Sequence, residues 1–228
     1  MSSRRRRPRR MPILPLDDAV CFPQTDLRLS LDHPDDLELV HDLFSETAAD
    51  GPRLGVVLRV AGIEGDDAPV YAAGTAARLV DVEDFGDRCE VVLRGEFRFE
   101  LTSDVDQGDG REALVEPMGE EAVSEIDPEI QKLRSELVSL ALELARELGE
   151  RFDLDDETLR ELRRGMPFER LVNHLAAHLA VAPERKLGLL REPLPRRARQ
   201  VRTILRCRQQ VLDALRPFRH LAAAAEHN

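Results

Sequence analysis

Aromatic residues are scarce in this 228-residue chain: eight phenylalanines, one tyrosine and no tryptophan. Single-stranded nucleic acid is normally gripped by aromatic faces beside cationic grooves, so this composition argues against nucleic acid as a partner. Cysteine is also sparse. Cys21, Cys89 and Cys207 are odd in number, far apart and in no metal-ligand spacing, which reads as free thiols in a reducing compartment. No apolar run approaches the roughly 18 residues a membrane span needs, and no hydrophobic segment follows the basic start as a secretory signal requires. The expectation is a cytoplasmic protein with no membrane partner. No G-x-x-x-x-G-K-[ST] phosphate loop and no G-x-S-x-G elbow occurs.

What is abundant is charge, unevenly placed. Residues 1–10 carry six arginines and no acid, whereas residues 11–124 carry 27 acids against eight arginines and no lysine. Residues 125–228 are nearly balanced, and the whole chain has a formal net charge of −11. An acidic body repels phosphate backbones, because nucleic-acid affinity comes largely from cations that displace counterions. The opening MSSRRRRPRR has no apolar residue beyond Met1 and is expected to be a disordered basic tail over 1–10. Met11 is an alternative start of translation.

The length suits one large domain or two small ones. Residues 11–122 read as β-rich. Pro12 to Pro23 is interrupted by prolines and suits an edge strand and loop. Leu27, Leu29 and Leu31 alternate with polar residues as a short strand, and Leu37, Val40, Leu43 and Phe44 fit a short helix behind Pro34. Leu54–Val60 is an apolar run expected as a buried strand. From Gly74 to Leu101 the chain reads as two alternating segments around the Asp84-Phe85-Gly86-Asp87 turn, then a third strand bearing Phe97 and Phe99. Over Glu90–Leu101, apolar Val91, Leu93, Phe97, Phe99 and Leu101 alternate with charged Glu90, Arg94, Glu96, Arg98 and Glu100. Leu114 and Val115 form a last strand.

Residues 123–228 read as a helical bundle. Asp127-Pro128-Glu129 orders an N-cap, a first-turn proline and an acid as a helix start prefers, and Gly149 ends the stripe that follows. Asp155 opens a short helix closed by Gly165. Further helices are expected over Pro167–Val181 and Pro183–Leu190, and a long one from Pro195 to about Arg216.

Four separated blocks resemble one family. These are Leu14-Pro15-Leu16 with Val20, Phe22 and Pro23; Leu54-Gly55-Val56-Val57-Leu58; the Gly74-Thr75 to Gly95, Arg98 and Phe99 segment; and Leu171–Leu190. Together they are similar to the N-terminal substrate-binding domain of Lon proteases, over about residues 11–205. The resemblance implies an α+β fold: a β-rich, PUA-like pseudobarrel followed by a C-terminal helical bundle. It also implies non-catalytic recognition of exposed or unfolded segments of other proteins, as an adaptor or holdase, with a full-length Lon or another protease as a further partner. Departures stand at Gln24, where the family has glycine, and at Ser30–Asp36, where an aromatic and basic run has become acidic. The other reading from the same pattern is a PUA-like RNA-binding or regulatory scaffolding module.

No residue pattern points to catalysis, and no cofactor is expected. His174 and His178, four apart on a helix, have a spacing that can present two imidazoles to one metal, but Leu175 stands where H-E-x-x-H has glutamate, and no third ligand follows. No metal is therefore assigned. The acid pairs Asp17-Asp18, Asp35-Asp36, Asp66-Asp67 and Asp155-Asp156 read as turns and caps. The six arginines from Arg196 to Arg208 are either a docking face for an acidic partner or a solvated flank. Phe22, Phe97, Phe99 and Phe168 are the candidate peptide-binding surface, with core packing as the competing role for Phe97 and Phe99.

Overall fold

Six strands make one mixed sheet in the computed structural model, which describes residues 8–45, 51–63, 65, 68–105, 111–152 and 154–218. The strands are β1 (Arg9–Leu16), β2 (Asp26–Leu31), β3 (Arg53–Arg59), β4 (Val70–Asp84), β5 (Cys89–Leu101) and β6 (Glu112–Pro117). Their order is β2-β5-β4-β3-β1-β6, and β6 also pairs with β5, so the sheet closes on itself with β2 outside the ring. Closure depends on the length of β5. Its first half, Cys89–Arg94, pairs with β2, and its end, Phe99–Leu101, pairs with β6. The segment expected as two strands plus a third is thus two long strands joined by the Asp84–Asp87 turn, with register shifts between them, at Ala76/Ala77 and Leu79/Asp81, that add twist.

The expected edge strand over Pro12–Pro23 is different in the structure. β1 lies inside the sheet, antiparallel to β6 through residues 9–12 and parallel to β3 through residues 13–16. Each of its residues therefore has one strand partner, which is how a strand with Pro12 and Pro15, each lacking an N–H, can sit between two neighbours. Arg9 and Arg10 belong to β1, and Arg10 pairs with Glu112 at 3.1 Å, so the expected tail loses its last two residues to the sheet. Arg4 to Arg7 lie outside the described residues.

Alternation divides the strands between two clusters. Leu14, Leu16, Leu54, Val56, Leu79, Val91 and Leu93 pack with Leu39, Val40 and Leu43 of helix α1 (Pro34–Ser45). Met11, Ile13, Val57, Ala76, Phe99 and Val115 form the other. Arg111 ties α1 to the start of β6, its guanidinium donating to Asp36 and Asp35 at 2.6 Å each. The Ser30–Asp36 run that departs from the family by being acidic is partly neutralised there, with Asp36 buried.

The chain packs into two units, the first 1–120 with 179–192 and the second 121–178 with 193–228. The boundary expected at 122/123 therefore misplaces helix α5 (Pro183–Arg191), which packs on the sheet. Its Leu187 and Leu190 meet Val20, Cys21, Val57 and Gly74 in a seam closed to water. Arg98 explains why the helix belongs there. This arginine, 4% exposed, donates to the carbonyls of Leu190 at 2.7 Å, Glu192 at 3.0 Å and Gly119 at 3.1 Å, and pairs with Glu120 at 3.1 Å. The last carbonyls of a helix have no partner within it, and here a cation supplies one. Alternation alone had placed Arg98 among outward charges.

The second unit holds α2 (Pro128–Leu148), α3 (Asp156–Arg164), α4 (Phe168–Ala177) and α6 (Leu194–Leu215). Asp127 and Asp155 cap α2 and α3 as expected, and Gly149 and Gly165 end them. Helix α4 starts behind Pro167 with no cap of its own, and Glu125 accepts from the Phe168 N–H at 2.8 Å instead. The stripe Ile130, Leu133, Leu137, Ala141 and Leu144 is buried, as are Val201 and Leu205 of α6.

Candidate functional site

The four phenylalanines proposed from the sequence do not make a surface. Phe22, Phe99 and Phe168 are each 0% exposed, and Phe168 belongs to the second unit. Phe97 is half-buried against the cluster that contains Phe99. For Phe22 and Phe99 the physical reason is the approach of the backbone around them. A Cβ on Gly74 would lie 2.5 Å from the Val56 carbonyl oxygen and 2.7 Å from Phe99, and one on Gly95 would lie 2.1 Å from the Phe22 carbonyl oxygen. Glycine at these two positions lets strands close over the rings. The Thr75 hydroxyl donates to the Cys21 carbonyl at 2.7 Å and completes the same knot. The signature residues that carried the resemblance are fold-building residues.

An open groove of about 500 Å³ lies elsewhere on the first unit, where β1 ends, β4 begins and β5 gives way to the loop after Leu101. Pro15, Pro69, Val70, Leu101 and Val105 supply apolar walls, and Ala72 faces the solvent beside them. Val70, Leu101 and Val105 also pack on the core behind, which fixes the floor. The rim is polar and anchored. Thr102 N–H donates to the Leu114 carbonyl at 2.8 Å, and Ser103 Oγ accepts from the Leu114 N–H at 2.9 Å. The size lies within the roughly 300–1,000 Å³ of small-ligand clefts, enough for a few side chains of an extended segment. Among the described residues of its lining, Asp104 is the ionisable one. Nothing in the sequence pattern marked it, because its walls come from three strand ends whose neighbourhood is set only by sheet closure.

The groups able to do covalent chemistry are placed against it. Burial, and then the charge of Asp26, push the Cys21 thiol up to about 12, so it is inert near neutrality. Burial, and then Asp84, also raise Cys89. Cys207 is exposed on α6. His174 and His178 stack at 6.3 Å between centroids, with His178 Nδ1 2.8 Å from the His174 carbonyl, so they are joined to each other and to their helix. Of the acid pairs, Asp35-Asp36 binds Arg111 and Asp155 caps α3, while Asp66-Asp67 lies outside the described residues.

The arginines of α6 are largely engaged within their own unit. Arg197 is wholly buried and donates to Asn173 Oδ1, Arg202 and Arg206 both pair with Glu136, and Arg208 lies over the Phe152 ring at 5.5 Å. They brace their own unit, which leaves little of the docking-face alternative weighed against a solvated flank.

Comparison with known proteins agrees with this arrangement. The profile of the family described as the ATP-dependent protease La (LON) substrate-binding domain matches residues 10–206. The Lon protease of Flavobacterium johnsoniae is 26% identical over 185 residues, covering 79% of this chain and 22% of that protein. The chain thus spans about a fifth of the length of this curated relative. The solved N-terminal domain of the Mycobacterium avium complex Lon protease has a TM-score of 0.61 at 21% identity, over 86% of this chain and 98% of that one. A Lon N-terminal domain protein from Xanthomonas campestris has a TM-score of 0.57 at 22% identity, over 85% and 96%. At these identities the two structures share the fold.

Proposed function

From the premise that this chain belongs to the LON substrate-binding domain family, we propose that it captures exposed or unfolded segments of other proteins without cutting them. The match across residues 10–206 carries the reading, and the open groove of the first unit supports it. The family matched over residues 10–206 is the substrate-binding domain, and these 228 residues hold no G-x-x-x-x-G-K-[ST] loop, so the capture proposed for them draws on no ATP. Capture rests on burying partner side chains at about 25 cal/mol per Å² of apolar area, less the cost of ordering the segment. The segment lies along the walls formed by Val70, Leu101 and Val105, while the anchored Thr102–Ser103 rim offers it polar partners. The captured segment is held, or passed to a full-length Lon or another protease. RNA has less in its favour, since Arg10, Arg53, Arg94 and Arg111 all face carboxylates within the first unit.

Fluorescence anisotropy of the full chain against a labelled unfolded polypeptide and a labelled RNA, each at low and high salt and without ATP, tests the reading. Polypeptide binding that persists at high salt is expected, because apolar burial strengthens rather than weakens there. Ala72→Glu should weaken it about tenfold, with stability unchanged to within about 0.5 kcal/mol, since Ala72 is exposed beside the groove. Binding to RNA alone, lost in salt, overturns the proposal.

A further inference from the structure

Three different donor types converge at one corner of the first unit. His41 comes from α1, Asp84 from the end of β4 and Cys89 from the start of β5. Their ligand atoms all lie within 4.8 Å of one another, and no other group of three such donors does so among the described residues. We propose that His41, Asp84 and Cys89 bind one zinc ion, with the fourth coordination position open to water.

The contacts themselves favour a shared ion over a catalytic relay. The Asp84 carboxylate, at 3.2 Å, and the Cys89 sulfur, at 3.6 Å, both approach the same imidazole nitrogen, Nε2 of His41. A Cys–His–Asp relay needs the carboxylate on the opposite nitrogen, Nδ1, from which it orients the ring. Donors gathered around one nitrogen are instead arranged as the vertices around a common centre. With Zn–S near 2.3 Å and Zn–N and Zn–O near 2.0 Å, the edges of a tetrahedron are about 3.5 Å for S···N and about 3.3 Å for N···O. The observed separations match these edges with little movement.

The supporting shell is also present. Asp84 and Cys89 are partners in the β4–β5 ladder, at the closing pair of the hairpin. Oδ1 of Asp84 accepts from the Gly86 N–H at 2.7 Å, which holds the carboxylate and leaves Oδ2 toward His41. Helix α1 is fixed by Leu39, Val40 and Leu43 in the cluster that also contains Cys89. Access is one-sided: Cys89 is 0% exposed, while the His41 and Asp84 side chains are about half exposed. An ion can therefore enter from the histidine and carboxylate side and reach the sulfur beneath. A thiolate and an imidazole beside one carboxylate select zinc over calcium or magnesium, which take oxygen sets. On binding, the sulfur–hydrogen bond of Cys89 is replaced by a sulfur–zinc bond, and the proton passes to solvent.

The test uses the full chain, reduced and stripped with a chelator, then titrated with zinc by calorimetry and with cobalt(II) as a spectroscopic probe. One equivalent should bind, with tetrahedral cobalt bands, a thiolate-to-cobalt charge-transfer band and a higher Tm in zinc. His41→Ala, at a half-exposed helix position, should fold normally, weaken zinc about 100-fold and abolish the Tm rise. Cys89→Ser should remove the charge-transfer band, whereas Cys207→Ser and His174→Ala should leave binding unchanged. Absence of stoichiometric zinc binding overturns the proposal, and so does binding that survives His41→Ala or is lost with Cys207.

Discussion

Gln24 has a backbone φ of 61°, a conformation that disfavours any residue with a Cβ, and it stands where the resembled family has glycine. The turn that needs this conformation is real, since the Gln24 N–H donates to the Gly95 carbonyl at 2.8 Å. Left-handed backbone costs a non-glycine residue about 1–2 kcal/mol, against about 0.5–1 kcal/mol for the extra freedom of glycine in the unfolded chain. Gln24→Gly should therefore stabilise the first unit by about 0.5–1 kcal/mol, read as a higher urea midpoint at unchanged slope. Single residues of this kind were the most legible part of the sequence. The caps Asp127 and Asp155 and the stops Gly149 and Gly165 act within a few residues of themselves, so local pattern found them. Phe22, Phe99 and Phe168 were legible as important but not as buried. Whether an aromatic faces a groove or a core depends on what closes over it, for Phe22 and Phe99 the strand approaches at Gly95 and Gly74.

At the scale of elements, strand and helix types were readable and their neighbours less so. β3 reads as buried because its apolar run is continuous, and α1 because its period is helical. The two β1 prolines suggested an edge, whereas the strand divides its pairing between β6 and β3. Helix α5 is the larger miss. A strand-parity argument sees Arg98 as an outward charge and has no means of seeing a helix end 92 residues later. Removing this guanidinium leaves the Leu190, Glu192 and Gly119 carbonyls and the Glu120 charge without it. Arg98→Ala should cost about 3 kcal/mol in urea unfolding. Arg98→Lys should still cost about 2 kcal/mol, because a compact ammonium does not span three carbonyls as the planar fork does. An Arg98→Ala variant as stable as the parent would mean that α5 is held by Leu187, Leu189 and Leu190 alone.

Over the whole molecule the charge imbalance was read correctly and its use was not. Acids of the first unit hold arginines, as Asp26 holds Arg94 at 2.7 Å, and acids of the second hold α6 through Glu136 and Glu147. Acid should therefore undo anchored carboxylates in both units. Asp155 gives a case with a clear sign. The Thr158 N–H first, then the charges of His178 and His174, hold its carboxyl below the ordinary range. A depressed folded value contributes stability above the unfolded value of about 3.9, which is lost as pH falls through the folded one. Asp155→Ala should lower stability by about 1 kcal/mol at pH 7, with the difference from the parent fading in thermal melts as pH falls below the unfolded value and through the lower folded one. A difference that stayed constant with pH would show that the cap acts through geometry alone. The chain's path between its units, leaving the first at Glu120 and returning only for residues 179–192, also sets a timetable. A ribosome adds about 5–20 residues each second, so the carbonyls that Arg98 needs from α5 emerge roughly 4–15 seconds after the sheet is complete. For that interval the growing chain exposes the apolar seam of Val20, Val57 and Gly74 that α5 later covers, so the sheet is itself an unfinished apolar segment until its last helix arrives.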